Sequence, residues 1–197
     1  QNQEIKNADV KTDKNNEEKK ASKNSVVNET WVSTDDTKIK SVALDYNCKV
    51  IDRPKDISGD LSKSEDALLH FANNVDFDIL VFIQPTSPLL NEIDINKGIE
   101  LISQYDSVFS AYKEHWVPRW SSNIQPIRWK INDRPMRQEK EELFVENGAF
   151  YITRKENLLN SSLRYSGKIG VYEMPFSRSF QVDNMDDLKL IKEIIEK

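Results

Sequence analysis

The stretch 78–88 constrains this chain more than any other. Ile79, Leu80, Val81, Phe82 and Ile83 form an unbroken apolar run rich in β-branched and aromatic residues. Such a run reads as a strand buried on both faces, of the kind found at the centre of a parallel sheet. It stops at Gln84-Pro85-Thr86-Ser87-Pro88. The prolines remove ladder donors and stiffen the exit, so Gln84, Thr86 and Ser87 are expected on a rigid turn at the carboxyl end of a strand. Open α/β sheets bind ligands at that edge. A polar loop without a ligand is the plain alternative.

The flanking sequence alternates strands and helices. A short strand at 30–33 is followed by Thr34-Asp35-Asp36, an N-cap, and by Ile39, Val42, Ala43 and Tyr46 at helical spacing. Asn47 suits the helix end. A second strand, 48–51, leads through Asp52-Arg53-Pro54 to a capping box of Ser62 and Glu65. A helix carrying Ala67, Leu68, Phe71 and Ala72 follows. After the strand at 79–83, Ile95, Ile99 and Ile102 mark a third helix, and 107–112 a fourth strand. The order β-α-β-α-β-α-β predicts a sheet with parallel, right-handed crossovers.

Residues 113–143 break the pattern. Trp116, Trp120 and Trp129 alternate with Arg119, Arg128, Arg134 and Arg137 among prolines. This reads as a projecting β-rich arm. Aromatic and arginine side chains favour a protein interface; a base-stacking platform is the competing reading. Core-like sequence returns at 144–152, where Gly148 permits a bulge or a close backbone approach. Strands are expected at 168–174 and 179–183. A last helix is capped by Asn184, with Asp187 in its first turn and Leu188, Ile191 and Ile195 as its apolar stripe.

A chain of 197 residues with net charge -5 is enough for one domain, here 29–197, behind a polar leader at 1–28 read as disordered or weakly helical. The dispersed Lys and Arg argue against nucleic acid. No apolar run is long enough to span a membrane and no signal peptide is visible. The single cysteine, Cys48, fits a reducing, cytoplasmic setting. With only His70 and His115 beside it, a zinc site is not expected.

Several stretches fall in one order: 32–36, Arg53-Pro54 with Gly59-Asp60, Gln84-Pro85-Thr86-Ser87-Pro88, 107–110, Arg137-Gln138, Glu146-Asn147-Gly148-Ala149-Phe150-Tyr151, 167–170, and Val182-Asp183 before a helix. Together they resemble the acylneuraminate cytidylyltransferases, or CMP-sialic acid synthetases, over about 30–197. The resemblance implies a Rossmann-like nucleotidyltransferase fold with a mixed, mostly parallel sheet and a small dimerisation arm at about 113–143. It implies transfer of CMP from CTP to the anomeric hydroxyl of a nine-carbon α-keto acid (nonulosonic) sugar, with release of pyrophosphate, by a homodimer using Mg2+. Carried over, Arg53 and Ser64 bind the nucleotide. Gln84, Thr86, Ser87 and Tyr151 line the sugar site. Arg137 holds the sugar carboxylate or phosphates, an action suited to its bidentate fork. Asp183 and Gln181 hold the metal, so Arg137 and Asp183 stand as the catalytic pair.

Two departures accompany this resemblance. The family's late Asp-x-Asp reads Gln181-Val182-Asp183, which replaces one carboxylate by a neutral carbonyl oxygen. The family also opens with a strand and a glycine/arginine/lysine loop that cradles the triphosphate, whereas 1–28 contains neither glycine nor arginine. The expectation is a truncated or rearranged member with an unpaired edge inside its sheet. A non-catalytic dimerising relative that binds a sugar acid or a partner protein is the alternative. A cytidylyltransferase for an eight-carbon sugar acid is a third reading.

Overall fold

The computed structural model describes residues 26–139 and 142–196; the polar leader falls almost wholly outside them. β1 (Trp31–Thr34) and β2 (Lys49–Asp52) pair in parallel, joined by α1 (Thr37–Asp45). Asp36 starts α1 by accepting from the amides of Lys38 and Ile39 at 2.7 and 3.1 Å. Asn47, at φ 58°, turns the chain back toward β2, a conformation asparagine tolerates. Then come α2 (Ser64–Asn74), β3 (Ile79–Ile83), α3 (Glu92–Glu100) and β4 (Ser107–Glu114). The arm holds β5 (Arg119–Trp120) and β6 (Pro126–Ile127). The chain ends with β7 (Leu143–Arg154), α4 (Lys155–Ser161), β8 (Ile169–Glu173) and α5 (Met185–Ile195).

The main sheet has the order β3-β7-β4-β8. β7 runs antiparallel to both neighbours, and β8 runs parallel to β4, so β3, β4 and β8 share one direction. The fold is α/β with a mixed, mostly parallel sheet. Its two faces are packed differently. On one, Ile102, Val108, Ala149, Phe150, Ile152 and Met174 are buried, with Ile99 of α3 against them. Gly98 allows that approach, because a Cβ there would lie 2.7 Å from the Phe150 ring. On the other, Leu68 and Ala72 of α2 and Leu158 of α4 cover Leu80 and Phe82. Each fully buried side chain of this size contributes about 1.5–3 kcal/mol.

The run 79–83 is a strand, but not a central parallel one. β3 borders the main sheet, pairs antiparallel with β7, and leaves Ile79 and Ile83 36% and 45% exposed. The ladder explains why. Lys155 donates its amide to Asp78 O and the Gln84 amide donates to Ala149 O, so even-numbered backbone groups face β7. Those of Ile79, Val81 and Ile83 therefore face away. β1 has the same asymmetry. Lys49 and Arg53 amides donate to Thr30 O and Thr34 O, which turns Trp31 and Ser33 to the side away from β2. Among the described residues no strand pairs with either free edge. The described strands thus leave unpaired edges on β1 and on β3. α2 touches both sheets: its Phe71 meets Trp31 of β1 edge-on at 5.7 Å, while Leu68 and Ala72 serve the main sheet.

Two local expectations are corrected. Residues 179–183 form no strand, because side chains and one long-range amide bond hold them instead. The α2 cap is Lys63, whose amide donates to Asp66 at 3.2 Å, while Ser62 Oγ accepts from the Gly59 amide. α4 went unread, since only Leu158 among its residues is buried and its apolar period is too short to see. The arm carries a small core of its own. Trp129 meets Trp116 and Trp120 edge-on at 6.5 and 4.9 Å, and its indole N–H donates to Arg119 O. No helix among the described residues is long and apolar enough to cross a membrane.

Candidate functional site

Three buried polar atoms without partners lie in or after the carboxyl ends of β1, β2 and β3. Ser33 Oγ, Arg53 Nε and Ser87 Oγ have no hydrogen-bond partner among the described residues. A buried polar group left unpaired costs about 1–3 kcal/mol, so such groups mark a place for water or a ligand. His70 Nδ1 is a fourth orphan, on α2. Arg53 does not pair with Asp52, which takes Lys40 at 2.6 Å instead. Its Nη2 donates 2.9 Å to Ser33 O and covers the free edge of β1. Ser64 is the first residue of α2, with no side-chain bond to a described residue.

The turn after β3 meets the end of the chain over Gly148. Gly148 sits at φ +65°, where β7 bulges against β4 between Phe109 and Ala111. A Cβ there would lie 2.5 Å from Gln84 Oε1 and closer still to Gln181 Nε2, so the two amides sit side by side above the backbone. The Val182 amide donates 2.8 Å to Thr86 O. The structure thus brings together Gln84, Thr86, Ser87, Gln181 and, at the exposed end, Asp183. The Asp183 side chain has no bond to a described residue. Asp187 is occupied in the cap, accepting from the amides of Asp183 and Asn184.

Tyr151 and Arg137 are placed differently. Tyr151 lies two ladder positions below Gln84, buried, with its hydroxyl donating to Glu146. It stacks on Phe82 at 5.9 Å, and Arg164 lies over its ring at 4.9 Å. Burial, then the Glu146 hydrogen bond, holds its phenol well above the ordinary range. Arg137 is exposed on a 3-10 turn of the arm and contacts none of the other candidates.

Residues that sequence reasoning missed support these positions. Asn147 is buried and fully used. Its Oδ1 accepts from Ser110 Oγ at 2.6 Å and the Ala149 amide at 3.2 Å; its Nδ2 donates to Ser179 Oγ at 3.0 Å and Met174 Sδ at 3.2 Å. Asp94 is completely buried and accepts from Arg178 and Tyr172. Burial and this bond push the Tyr172 hydroxyl up to about 12. Glu65 accepts both Nε and Nη2 of Arg164, a bond that lowers its carboxyl below the usual value. Asp94 has no local sequence signal, since Tyr172 and Arg178 lie 78 and 84 residues away.

Against known sequences, the family model for cytidylyltransferases matches residues 18–197. The chain belongs to the cytidylyltransferase family. N-acylneuraminate cytidylyltransferase A of Danio rerio is 36% identical over 168 residues, 80% of this chain and 39% of that protein. N-acylneuraminate cytidylyltransferase of Oncorhynchus mykiss is 33% identical over 78% of this chain and 37% of that protein. This family member therefore spans about two-fifths of the length of both relatives. Its fold is that of a solved CMP:2-keto-3-deoxy-manno-octonic acid synthetase in complex with CTP. That match has TM-score 0.61 and 16% identity, and covers 86% of this chain and 81% of the other.

No cluster of three or more His, Cys, Asp or Glu stands ready for a metal among the described residues. Mg2+ in phosphoryl-transfer sites needs only one or two carboxylates, with substrate phosphates and waters completing its shell. The unengaged carboxylate of Asp183, beside Gln181, fits that requirement.

Proposed function

We propose that this chain carries the transfer site of a cytidylyltransferase that moves CMP from CTP to the anomeric hydroxyl of a nine-carbon α-keto acid sugar of the sialic or legionaminic type. The anomeric hydroxyl gives up its proton to solvent as its oxygen forms a bond to the α-phosphorus, the bond to the β-phosphate oxygen breaks, and pyrophosphate leaves with that electron pair. Arg53 and Ser64 take the nucleotide side; Gln84, Thr86 and Ser87 take the sugar side. Mg2+ held through Asp183, with the Gln181 carbonyl as a second ligand, would neutralise phosphate charge. Arg137 binds the sugar carboxylate or the phosphates from the arm, within a cytoplasmic homodimer. The single observation that supports this most is the trio of orphaned polar atoms, Ser33 Oγ, Arg53 Nε and Ser87 Oγ, at the strand ends where such a ligand would lie.

A second reading is a sugar-acid binder without transfer activity. It is favoured by the edges of β1 and β3, which no described strand pairs. Pyrophosphate release from CTP, Mg2+ and N-acetylneuraminic or legionaminic acid separates the two. Release above that of Arg137→Ala supports transfer. Sugar binding by calorimetry without release supports the second reading. Release only with an eight-carbon sugar acid replaces the proposed acceptor. Light scattering that finds only monomer at micromolar concentration removes the dimer.

A further inference from the structure

The segment between β8 and α5 carries Gln181 and Asp183, yet it has no ladder of its own. What holds it is a set of polar anchors. Met174 donates its amide to Ala111 O at 2.7 Å. Ser179 Oγ accepts from Asn147. Arg178 grips Asp94 through both Nε and Nη2, at 3.0 and 2.5 Å. The Asp94 grip differs from the others in kind. Asp94 is 0% exposed and takes four donors: the two from Arg178, the Tyr172 hydroxyl at 2.9 Å, and the Asn91 amide at 3.3 Å. A buried carboxylate satisfied this completely holds its partners in place, because losing Arg178 leaves its charge uncompensated and losing a neutral donor removes a hydrogen bond to it.

Its position gives the grip a purpose. Asp94 lies in the first turn of α3, the helix entered directly from the Gln84–Pro88 turn. Arg178 lies three residues before Gln181. One ion pair therefore joins the far end of the turn to the near end of the late segment. The Val182 amide then closes the loop onto Thr86 O. We propose that Asp94, Arg178 and Tyr172 form a positioning latch that sets Gln181 and Asp183 in register with Gln84 and Thr86. The latch touches no reacting atom. Its bearing on catalysis rests on the transfer reading above.

Hydrogen exchange of the full chain tests the latch without requiring turnover. The Val182 amide reports the register; the Ile152 amide, inside the main sheet between β3 and β4, reports global opening. Arg178→Lys keeps the charge and loses the fork. The expected result is at least tenfold faster exchange at Val182 relative to Ile152. Equal acceleration at both, or none at either, overturns the latch and leaves a merely structural ion pair. If Arg178→Lys does not fold, Tyr172→Phe, which removes one donor, decides on the same ratio, with a several-fold rise expected.

Where the parent chain releases pyrophosphate, Arg178→Lys should lower kcat at least tenfold with KM for CTP held within twofold. Unchanged kcat with fast Val182 exchange overturns the catalytic bearing of the latch. A parent chain that releases no pyrophosphate refutes the transfer reading, and the exchange ratio still decides the latch.

Discussion

The main sheet and the β1–β2 pair hold their strand ends with very different support. Behind Gln84 and Gly148 lie two packed faces and a buried polar network in which Asn147 and Asp94 satisfy every partner. Behind Arg53 lies a pair of four-residue strands, which meets α2 through Trp31 and Phe71. The corner of Gln84 and Gln181 is preorganised; the region of Arg53 is tethered. Preorganised groups cost little to order at binding, and tethered ones cost more, so the two regions should respond unequally to the same kind of damage.

The largest expected contrast is in stability. Phe150→Ala should cost about 3–5 kcal/mol by urea unfolding, since the ring is wholly buried and Gly98 packs on it. Trp31→Ala, at a half-buried position on β1, should cost about 1–2 kcal/mol because part of its surface already meets water. Equal losses would show that the pair shares the cooperative core and would break the comparison.

A smaller effect sharpens the role of α2, which belongs to both regions. Glu65, in its first turn, is held by Arg164 and has a lowered carboxyl pKa in the folded state. That stability is present in full above the unfolded value near 4.5 and is lost as pH falls through the folded one. Arg164→Met should cost about 1 kcal/mol at pH 7, with the gap closing toward pH 3. A gap independent of pH would mean that the stacking of Arg164 on Tyr151 and Phe82, and not its charge, carries the effect. Smallest of all, Arg137→Ala should change stability by less than about 0.5 kcal/mol while weakening sugar-acid binding measured by calorimetry. Matching losses in both would move Arg137 from the site into the arm's structure.

What could be read from the sequence was what depends on neighbours in the chain. Asp36, Asn47 and Asn184 act within a helix turn, and each stands where its local chemistry places it. Gly148 was readable as a bulge because a positive φ asks for glycine. β3 was readable as a strand, but its place at the border was not: an apolar run does not reveal how many partners it has. The Asp94–Arg178 pair spans 84 residues, and neither member stands out beside dozens of other charges. Ser179 to Asp183 looked like a strand because alternation was the only pattern visible. The anchors that hold it belong to β4, β7 and α3.

Gly148 carries a consequence for heredity. Every missense change of a glycine codon installs an amino acid with a Cβ. Any of them would have to hold φ +65° and drive that atom into the Gln84 and Gln181 amides at once. A side chain here must accept a left-handed backbone and displace two glutamine amides, so change at this position is coupled to change in the turn and in the late segment.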